Sequence, residues 1–283
     1  MEGSDHAMNL EQTVAAHYAH GSLEQAILEA LAAAGRDVNR LSAADLAPVD
    51  EFHVGGRPAT IAFAQQFGVR RGMRLLDVGC GLGGAARYFA QEHGCRVDAI
   101  DLSDEYVAVA NMLAARVGLG DLVFCQQGSA LALPFAERSF DAAYLLHVGM
   151  NIEDKFGLFA EIRRVLLPSG TLGIYDVMRV NSGELSYPVP WARGPEASFV
   201  ADAASYRRLL ESAGFEVLQE RDRRDFALAT LEKMRARGAS ARPAPLGLHI
   251  VMGDDAGAKV ANMSNDIQRG LIAPTEIICR AVP

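Results

Sequence analysis

The chain has 283 residues, half of them hydrophobic, which is enough for one large α/β domain with additions or for two small domains. The formal net charge of −8 argues against a nucleic-acid substrate or partner, because a phosphate backbone requires a basic face. No apolar run approaches the length of roughly eighteen residues that a membrane span needs. The polar, acidic first residues do not resemble a signal peptide.

The four cysteines are Cys80, Cys95, Cys125 and Cys279, and none of them stands in C-x-x-C spacing. Each lies in an apolar strand or turn context, which is typical of buried thiols in a reduced compartment. We therefore expect a cytoplasmic protein without a zinc site or any other bound metal.

Helical patterns occupy the first part of the chain. A short helix is expected over residues 11–20. A clearer one follows Ser22, where Leu23, Ile27 and Leu31 recur at helical spacing. Pro58 then opens a helix that runs to about residue 67.

A strand, a glycine turn and a helix come next, over residues 74–78, 79–84 and 85–93. Such a turn allows the backbone to approach a ligand closely, and the helix N-terminus offers free N–H groups. A second strand, residues 96–101, ends in Asp101. An acid at that place can accept hydrogen bonds from both hydroxyls of a ribose.

Strands and helices continue to alternate along the chain, which predicts an α/β fold with a parallel, doubly wound sheet. Further strands are expected over residues 122–127, 140–147, 171–177, 215–221 and 275–280. In such a sheet, ligands lie beyond the carboxyl ends of the strands.

The glycine pattern by itself allows two interpretations. Gly79, Gly81 and Gly84 fit the dinucleotide pattern G-x-G-x-x-G, while Gly83 completes the tighter G-x-G-x-G. Asp77 favours the second, because a carboxylate there would repel a pyrophosphate but suits an ammonium group. With the strand-end acid, this pattern resembles the class I S-adenosylmethionine-dependent methyltransferases. A dehydrogenase that binds NAD is the alternative.

The resemblance implies a Rossmann-like sheet of seven strands with S-adenosylmethionine as the cofactor and S-adenosylhomocysteine as its product. The amino-acid end would lie against Asp77 and the turn, and the ribose against Asp101. Many members have G-D-A after strand three, where this chain has Gly-Ser-Ala. Serine would bind the adenine amino group more weakly than a carboxylate. The implied cofactor residues in this part of the chain are Asp77, Gly79, Cys80, Gly81, Asp101, Leu102, Ser129, Ala130 and Leu146.

By the same resemblance, His147 ends strand four at the position that faces the methyl group. Histidine titrates near neutral pH, so it can accept a proton or orient a nucleophile. The alternatives are a histidine that only bonds the backbone or only lines the cofactor pocket. Asn151, on the same loop, is a candidate to position a substrate, or else a helix N-cap.

The segments upstream and downstream of the sheet supply candidate covers. Tyr18 and the run Glu51-Phe-His-Val-Gly-Gly56 resemble the N-terminal lid of phosphoethanolamine and dimethylglycine N-methyltransferases. That resemblance implies that Tyr18 is a latch and His53 a cofactor contact. We thus expect a helical lid over residues 1–57 and a methyltransferase domain over 58–283. Residues 179–200 and 223–272 are its cover segments, the second an insertion before the last strand.

The cover segments also hold the candidate substrate residues. Trp191, Tyr187 and Tyr175 can form an aromatic wall, which stabilises a nearby cation. Arg179 and Arg193 can clamp an anionic substrate group, and a solvated surface role is the alternative. His249 is a weaker candidate for the substrate pocket.

These features predict an enzyme that transfers a methyl group to a small molecule. The lid and the acidic balance favour an amine of the sarcosine or dimethylglycine type. The first alternative is O- or C-methylation of a natural-product or quinone-like acceptor, and the second is a binding protein that does not catalyse. A homodimer is compatible with the sequence.

Overall fold

The structure is a computed structural model that describes residues 2–18, 21–238 and 244–283. Within those ranges one sheet contains β1 (Arg74–Val78), β2 (Arg96–Asp101), β3 (Val123–Gln127), β4 (Phe140–Leu146), β5 (Leu166–Arg179), β6 (Phe215–Asp222) and β7 (Ile272–Ala281). The helices of the described ranges are α1 (Glu2–Tyr18), α2 (Leu23–Ala33), α3 (Ala43–Asp50), α4 (Gly56–Phe67), α5 (Gly84–His93), α6 (Asp104–Arg116), α7 (Lys155–Val165), α8 (Ala203–Ser212), α9 (Arg224–Gly238), α10 (His249–Met252) and α11 (Ala256–Gln268).

The sheet has the strand order β3-β2-β1-β4-β5-β7-β6. β1 to β5 pair in parallel, whereas β7 runs antiparallel between β5 and β6. This arrangement confirms the predicted α/β class and its seven-stranded methyltransferase sheet. The insertion before the last strand comprises α9, α10 and α11.

Strand β1 lies at the point where the chain order reverses, with β2 on one side and β4 on the other. Its Leu75, Leu76 and Val78 are fully buried, because helices cover both faces of the sheet. The carboxyl ends of β1 and β4 therefore diverge there and open a crevice, which is the usual ligand position in this architecture.

Two predicted strand boundaries are too narrow. β5 begins at Leu166 rather than at residue 171, because Leu166 pairs with Phe140, and an irregularity in the ladder accommodates the intervening Pro-Ser-Gly. β7 begins at Ile272 rather than at 275, because both of its neighbours continue to pair with it. Tertiary pairing extends strands past residues whose own propensities favour a turn.

The N-terminal helices pack on the main sheet assembly. Leu23, Ile27 and Leu31 of α2 are buried in one cluster with Tyr106 and Leu113 of α6. Helix α1 ends at Tyr18, so residues 19 and 20 of the predicted first helix lie outside the described residues. The division of the chain at residues 57 and 58 stays a prediction.

A buried ion pair joins α3 to α5. Arg87 donates to Asp50 over 2.6 Å, and both side chains are fully shielded from solvent. The pair fixes α3, and with it the loop that follows, beside the glycine turn. In the part of the chain that is described, no helix combines the length and apolarity needed to cross a membrane.

Candidate active site

The glycine turn connects β1 to α5 in a conformation that requires glycine. Gly79 has a φ of 73°, and a Cβ there would come within 2.5 Å of the Val148 side chain. A Cβ on Gly84 would come within 2.3 Å of the Asp50 carbonyl oxygen. The turn thus packs tightly between the loop after β4 and the end of α3, and its backbone lines the crevice.

Asp101 is oriented by backbone donors at the end of β2. Gly81 donates its N–H to Oδ2 over 2.8 Å, and Ser103 donates to Oδ1 over 3.0 Å. Burial raises the pKa of Asp101, while these N–H donors act in the opposite direction. Each carboxylate oxygen keeps a further lone pair for a ligand hydroxyl.

Asp77 lies at the end of β1, only 3% exposed. The Tyr144 hydroxyl donates to its Oδ2 over 2.9 Å. Burial raises the pKa of Asp77 to about 8, and the nearby Asp101 and Glu51 act in the same direction. A ligand ammonium group would supply a positively charged partner for this buried carboxyl.

One large cavity runs from the glycine turn to the cover helices, with a volume of about 1470 Å³. Its wall at the turn includes the predicted cofactor residues Asp77, Gly79, Cys80, Gly81, Asp101, Leu102, Ala130 and Leu146. A buried carboxyl, a close-approach backbone turn and a second oriented carboxyl fit the ammonium, carboxylate and ribose of S-adenosylmethionine.

The opposite side of the cavity carries an apolar wall. We use this name for Val54, Met150, Trp191, Leu231, Val260 and Met263, which pack in one cluster and line the cavity. Its residues come from the segment before α4, the loop after β4, the loop after β5, α9 and α11. We call the space in front of the wall the acceptor chamber, because we propose that a methyl acceptor binds there.

His147 follows β4 and lines the cavity, with its ring beside those of His53 and Tyr175. Its φ is 58°, and its backbone N–H donates to the Tyr175 carbonyl over 2.7 Å. Its Nε2 is buried and has no hydrogen-bond partner in the described part of the chain. Burial, with His53 nearby, holds the pKa of His147 well below its ordinary value. The ring is therefore neutral near pH 7 and can accept a hydrogen bond from a ligand.

Glu51, Thr60 and His53 form a buried polar group beside His147. The Thr60 hydroxyl donates to Glu51 Oε2 over 2.6 Å and lies 3.0 Å from His53 Nε2. Arg57 forms an ion pair with the other carboxylate oxygen of Glu51. Glu51 and His53 both line the cavity.

Tyr18 and Asn151 connect the first helix to the loop after β4. The Tyr18 hydroxyl donates to Asn151 Oδ1 over 3.2 Å, and Asn151 Nδ2 donates to the carbonyls of Trp191 and Ala197. Asn151 therefore connects the loop after β4 to the first helix and to the loop after β5. The N-cap of α7 is Asp154 and not Asn151. Both Tyr18 and Asn151 line the cavity.

Some predicted residues lie elsewhere. The Ser129 side chain contacts Glu11 of α1 and is not among the cavity-lining residues. Tyr175 is buried with its hydroxyl bonded to the Val54 carbonyl, behind the apolar wall. Tyr187 packs at the back of the same cluster. Of the proposed aromatic wall, only Trp191 faces the cavity.

The proposed arginine clamp is also not assembled. Arg179 donates to the Gly183 carbonyl, and neither it nor the exposed Arg193 lines the cavity. Both lie in the first cover segment, whose chain path turns these side chains outward. His249 does line the cavity and is exposed there.

Two groups of lining residues have no counterpart among the predicted site residues. Glu51 stands in the quoted lid run beside His53, and a carboxylate two residues from a histidine was the available signal. Phe226, Leu231, Val260 and Met263 come from α9 and α11, whose sequences predict helices but do not identify what these helices cover. In the described ranges, no cluster of three His, Cys, Asp or Glu side chains could hold a metal ion.

Comparison with known proteins agrees with this geometry. A family model described as "Methyltransferase domain" matches residues 76–174, which include the glycine turn, Asp101 and His147. Residues 76–174 therefore form a methyltransferase domain, and the two carboxyls and the glycine turn in it fit S-adenosylmethionine as the cofactor.

Among curated relatives, the chain is similar to fungal sterol 24-C-methyltransferases. The protein of Saccharomyces cerevisiae is 31% identical over 170 residues, which are 57% of this chain and 44% of the relative. One from Gibberella zeae is 37% identical over 113 residues, or 40% of this chain and 30% of the relative. The chain spans less than half of the length of these relatives.

Solved structures share the fold. The [4+2]-cyclase SpnF has a TM-score of 0.64 at 26% identity, with 79% of this chain and 80% of that one covered. Geranyl diphosphate C-methyltransferase from Streptomyces coelicolor A3(2) has a TM-score of 0.70 at 16% identity, covering 96% and 98%. Phosphoethanolamine N-methyltransferase 2 of Haemonchus contortus has a TM-score of 0.68 at 20% identity, covering 90% and 56%. N- and C-methyltransferases are thus both neighbours in fold, and the two curated relatives named above are C-methyltransferases.

Proposed function

We propose that this protein transfers the methyl group of S-adenosylmethionine to a large, mostly apolar small molecule, at a carbon or a hydroxyl oxygen. The single observation that carries this proposal is the acceptor chamber. A cavity of about 1470 Å³ exceeds the range of about 300–1,000 Å³ that one small ligand usually occupies. It has room for a cofactor together with a sizeable second molecule.

The lining of the chamber supports an apolar acceptor. Met150, Trp191, Leu231, Val260 and Met263 present hydrocarbon, aromatic and thioether surface. An apolar molecule gains roughly 25 cal/mol for each Å² removed from water, so a bulky hydrophobic acceptor binds here without specific polar partners. The similarity to sterol C-methyltransferases is consistent with this class of acceptor.

When bound, the cofactor supplies an already activated methyl group on a sulfonium sulfur. The chain then has to hold the acceptor in line and exclude water, and alignment of this kind can supply about 7–11 kcal/mol. The neutral ring of His147 accepts a hydrogen bond from the acceptor, and the Tyr18 latch closes the crevice. Because burial keeps the pKa of His147 low, its role is to orient rather than to retain a proton.

A small amine of the sarcosine or dimethylglycine type is the second candidate. The lid run around His53 and the Tyr18 latch favour it by resemblance. Such acceptors carry a carboxylate, and a positively charged partner would be needed for it. Of the described cavity-lining residues, Arg57 is paired with Glu51, and Lys233 lies on α9 toward solvent. We therefore rank this candidate below the apolar acceptor.

The test is a transfer assay with radiolabelled methyl cofactor against two panels. The first holds sterol, terpenoid and polyketide alcohols and alkenes, and the second holds sarcosine, dimethylglycine and related amines. We expect label in the organic extract with the first panel. Transfer only to the amines would contradict the apolar assignment.

A matched pair of variants makes the test specific. Val260→Phe adds bulk to the apolar wall and should raise KM most for the largest acceptors, with affinity for S-adenosylhomocysteine unchanged. Val217→Phe, on the edge strand β6, does not line the cavity and should leave KM unchanged.

A further inference from the structure

A buried carboxyl stands at the edge of the acceptor chamber, and the proposed reaction needs a place for the proton that the acceptor loses. We propose that Glu51 takes up this proton, and that Thr60 and His53 hold its carboxyl in position. The inference rests on the proposed methyl transfer and adds to it a general base distinct from His147.

Both oxygens of Glu51 have a neighbour in the protein, but Oε1 keeps one lone pair that no hydrogen bond of the described ranges uses. Thr60 donates to Oε2 over 2.6 Å, and His53 Nε2 lies 3.5 Å from the same oxygen. Oε1 is in ion-pair contact with Arg57 but has no hydrogen-bond partner in the described ranges. The side chain of Glu51 is about 1% exposed, and the residue lines the cavity, so the proposal requires an acceptor that packs directly against this carboxyl.

The proton count of the group explains how Glu51 is held. Thr60 has a single hydroxyl hydrogen and donates it to Glu51, so its oxygen can accept an N–H from His53 over 3.0 Å. Burial lowers the pKa of His53 to about 4. His53 therefore stays neutral, and a proton that enters this group resides on Glu51.

The surroundings give Glu51 an affinity for protons that suits a base at neutral pH. Burial and the adjacent Asp50 raise its pKa to about 7, against the opposing effect of Arg57, Thr60 and Arg87. General-base catalysis is most effective when the pKa lies near the working pH. The charged and titratable groups that contact Glu51 or interact with it electrostatically include Asp50, His53, Arg57, Asp77, Arg87 and Tyr88.

The electron pair of the acceptor carbon or oxygen forms the new bond to the methyl carbon. The methyl–sulfur bond breaks, and its electron pair stays on sulfur as a neutral thioether. The acceptor's proton passes to the Glu51 carboxylate, which becomes a neutral carboxylic acid. That acid is tolerated because its site is buried.

Glu51→Gln tests the assignment, because the amide keeps the shape and the contact with Thr60 but cannot take the proton. General-base catalysis contributes about 10²- to 10⁴-fold, so we expect kcat to fall by at least about 10²-fold. The acceptor KM and the affinity for S-adenosylhomocysteine should stay within about twofold. With cofactor and acceptor both saturating, so that the pH dependence of cofactor binding through Asp77 does not contribute, kcat of the unchanged protein should rise with pH through about 7, and this limb should be lost in Glu51→Gln. A limb that persists would overturn the proposal.

Glu276→Gln is the matched control. Glu276 is also a buried carboxylate paired with arginines, Arg221 and Arg223, but it does not line the cavity. Its variant should keep the pH limb. Thermal unfolding of both variants identifies any loss of folding. If a carboxylate is required, Glu51→Asp should have a higher kcat than Glu51→Gln and should keep a pH limb, at a shifted midpoint.

A second measurement needs no acceptor and separates this inference from the proposed function. Carbon-13 labelling of glutamate carboxyls, with Glu51→Gln to assign the signal, reports the titration of Glu51 directly. We expect a midpoint near 7, and a midpoint at the ordinary glutamate value would overturn the assignment. If no acceptor from either panel is methylated, the proposed function fails, while this titration still decides the state of Glu51.

Discussion

The hydroxyl of Tyr18 donates to Asn151 Oδ1 over 3.2 Å, across 133 positions of the chain. Through this bond the first helix is connected to the loop that carries His147. His17 adds a second contact, between its Nε2 and the Pro190 carbonyl oxygen at 3.2 Å. These polar contacts add to the packing of the Tyr18 ring against Phe52 and Tyr106, so the N-terminal helix is held over the cavity by both kinds of contact.

Tyr18→Phe should weaken this closure. A neutral hydrogen bond contributes about 0.5–1.5 kcal/mol, so we expect S-adenosylhomocysteine to dissociate roughly two- to tenfold faster. Trp191 is the only tryptophan in the chain and lines the cavity, so stopped-flow fluorescence can follow the release. Tyr187→Phe, which removes a hydroxyl outside the cavity lining, should not change the rate. Equal rates in all three proteins would refute the latch.

Asp101→Ala should remove the contact with the ribose. Hydrogen bonds to a charged group contribute about 1.5–3 kcal/mol, so we expect cofactor affinity to fall by at least roughly tenfold in calorimetry. Asp98→Asn is the control, because Asp98 is buried on the same strand but pairs with Arg74 at 2.7 Å. An unchanged dissociation constant for Asp101→Ala would rule out this cofactor site.

Cofactor binding should release a proton from Asp77. In the free protein the pKa of Asp77 is about 8, so the carboxyl is mostly neutral at pH 7. An ammonium group favours the ionised form and lowers that pKa, so affinity should increase as pH rises toward about 8. Calorimetry at pH 7 in buffers of different ionisation enthalpy should detect about one proton released. Asp77→Asn should abolish the release, and its persistence in that variant would assign the proton to another group.

His147→Asn should impair acceptor use without weakening cofactor binding. Asparagine tolerates the positive φ of 58° at this position, so the backbone should keep its path. Loss of the orienting contact should lower kcat/KM for the acceptor by about tenfold or more, the equivalent of one hydrogen bond of roughly 1.4 kcal/mol. Steady-state kinetics together with S-adenosylhomocysteine affinity separate the two effects. A selective loss of cofactor affinity would mean that His147 serves the cofactor instead.

Arg87→Met should destabilise the fold. Removing one partner of a buried ion pair costs about 3–5 kcal/mol, because Asp50 would remain buried without its counter-ion. The exposed pair of Arg280 with Glu216 provides the comparison, and Arg280→Met should cost no more than about 1 kcal/mol. Urea denaturation measures both. Similar losses in the two variants would show that the Asp50–Arg87 pair contributes no more than a surface pair.

The order of the elements and the sheet class were predictable from the sequence, and most residues predicted to bind the cofactor do line one cavity. Asp77, Gly79, Gly81 and Asp101 are close in sequence, and local rules for strand ends and glycine turns apply to them directly. Such local rules predicted fewer of the residues on the acceptor side of the cavity. Ser129 and Arg179 were plausible by type, yet in the structure their side chains contact Glu11 and the Gly183 carbonyl.

By itself, the sequence determined where strands end, which glycines permit the turn and which acids stand beside it, because these depend on neighbours a few residues apart. Only the tertiary structure decided that Glu51, Thr60 and His53 meet His147, and that α9 and α11 supply an apolar wall. Those contacts join segments separated by up to some two hundred positions. They are set by packing across the whole sheet, which is not encoded in any local pattern.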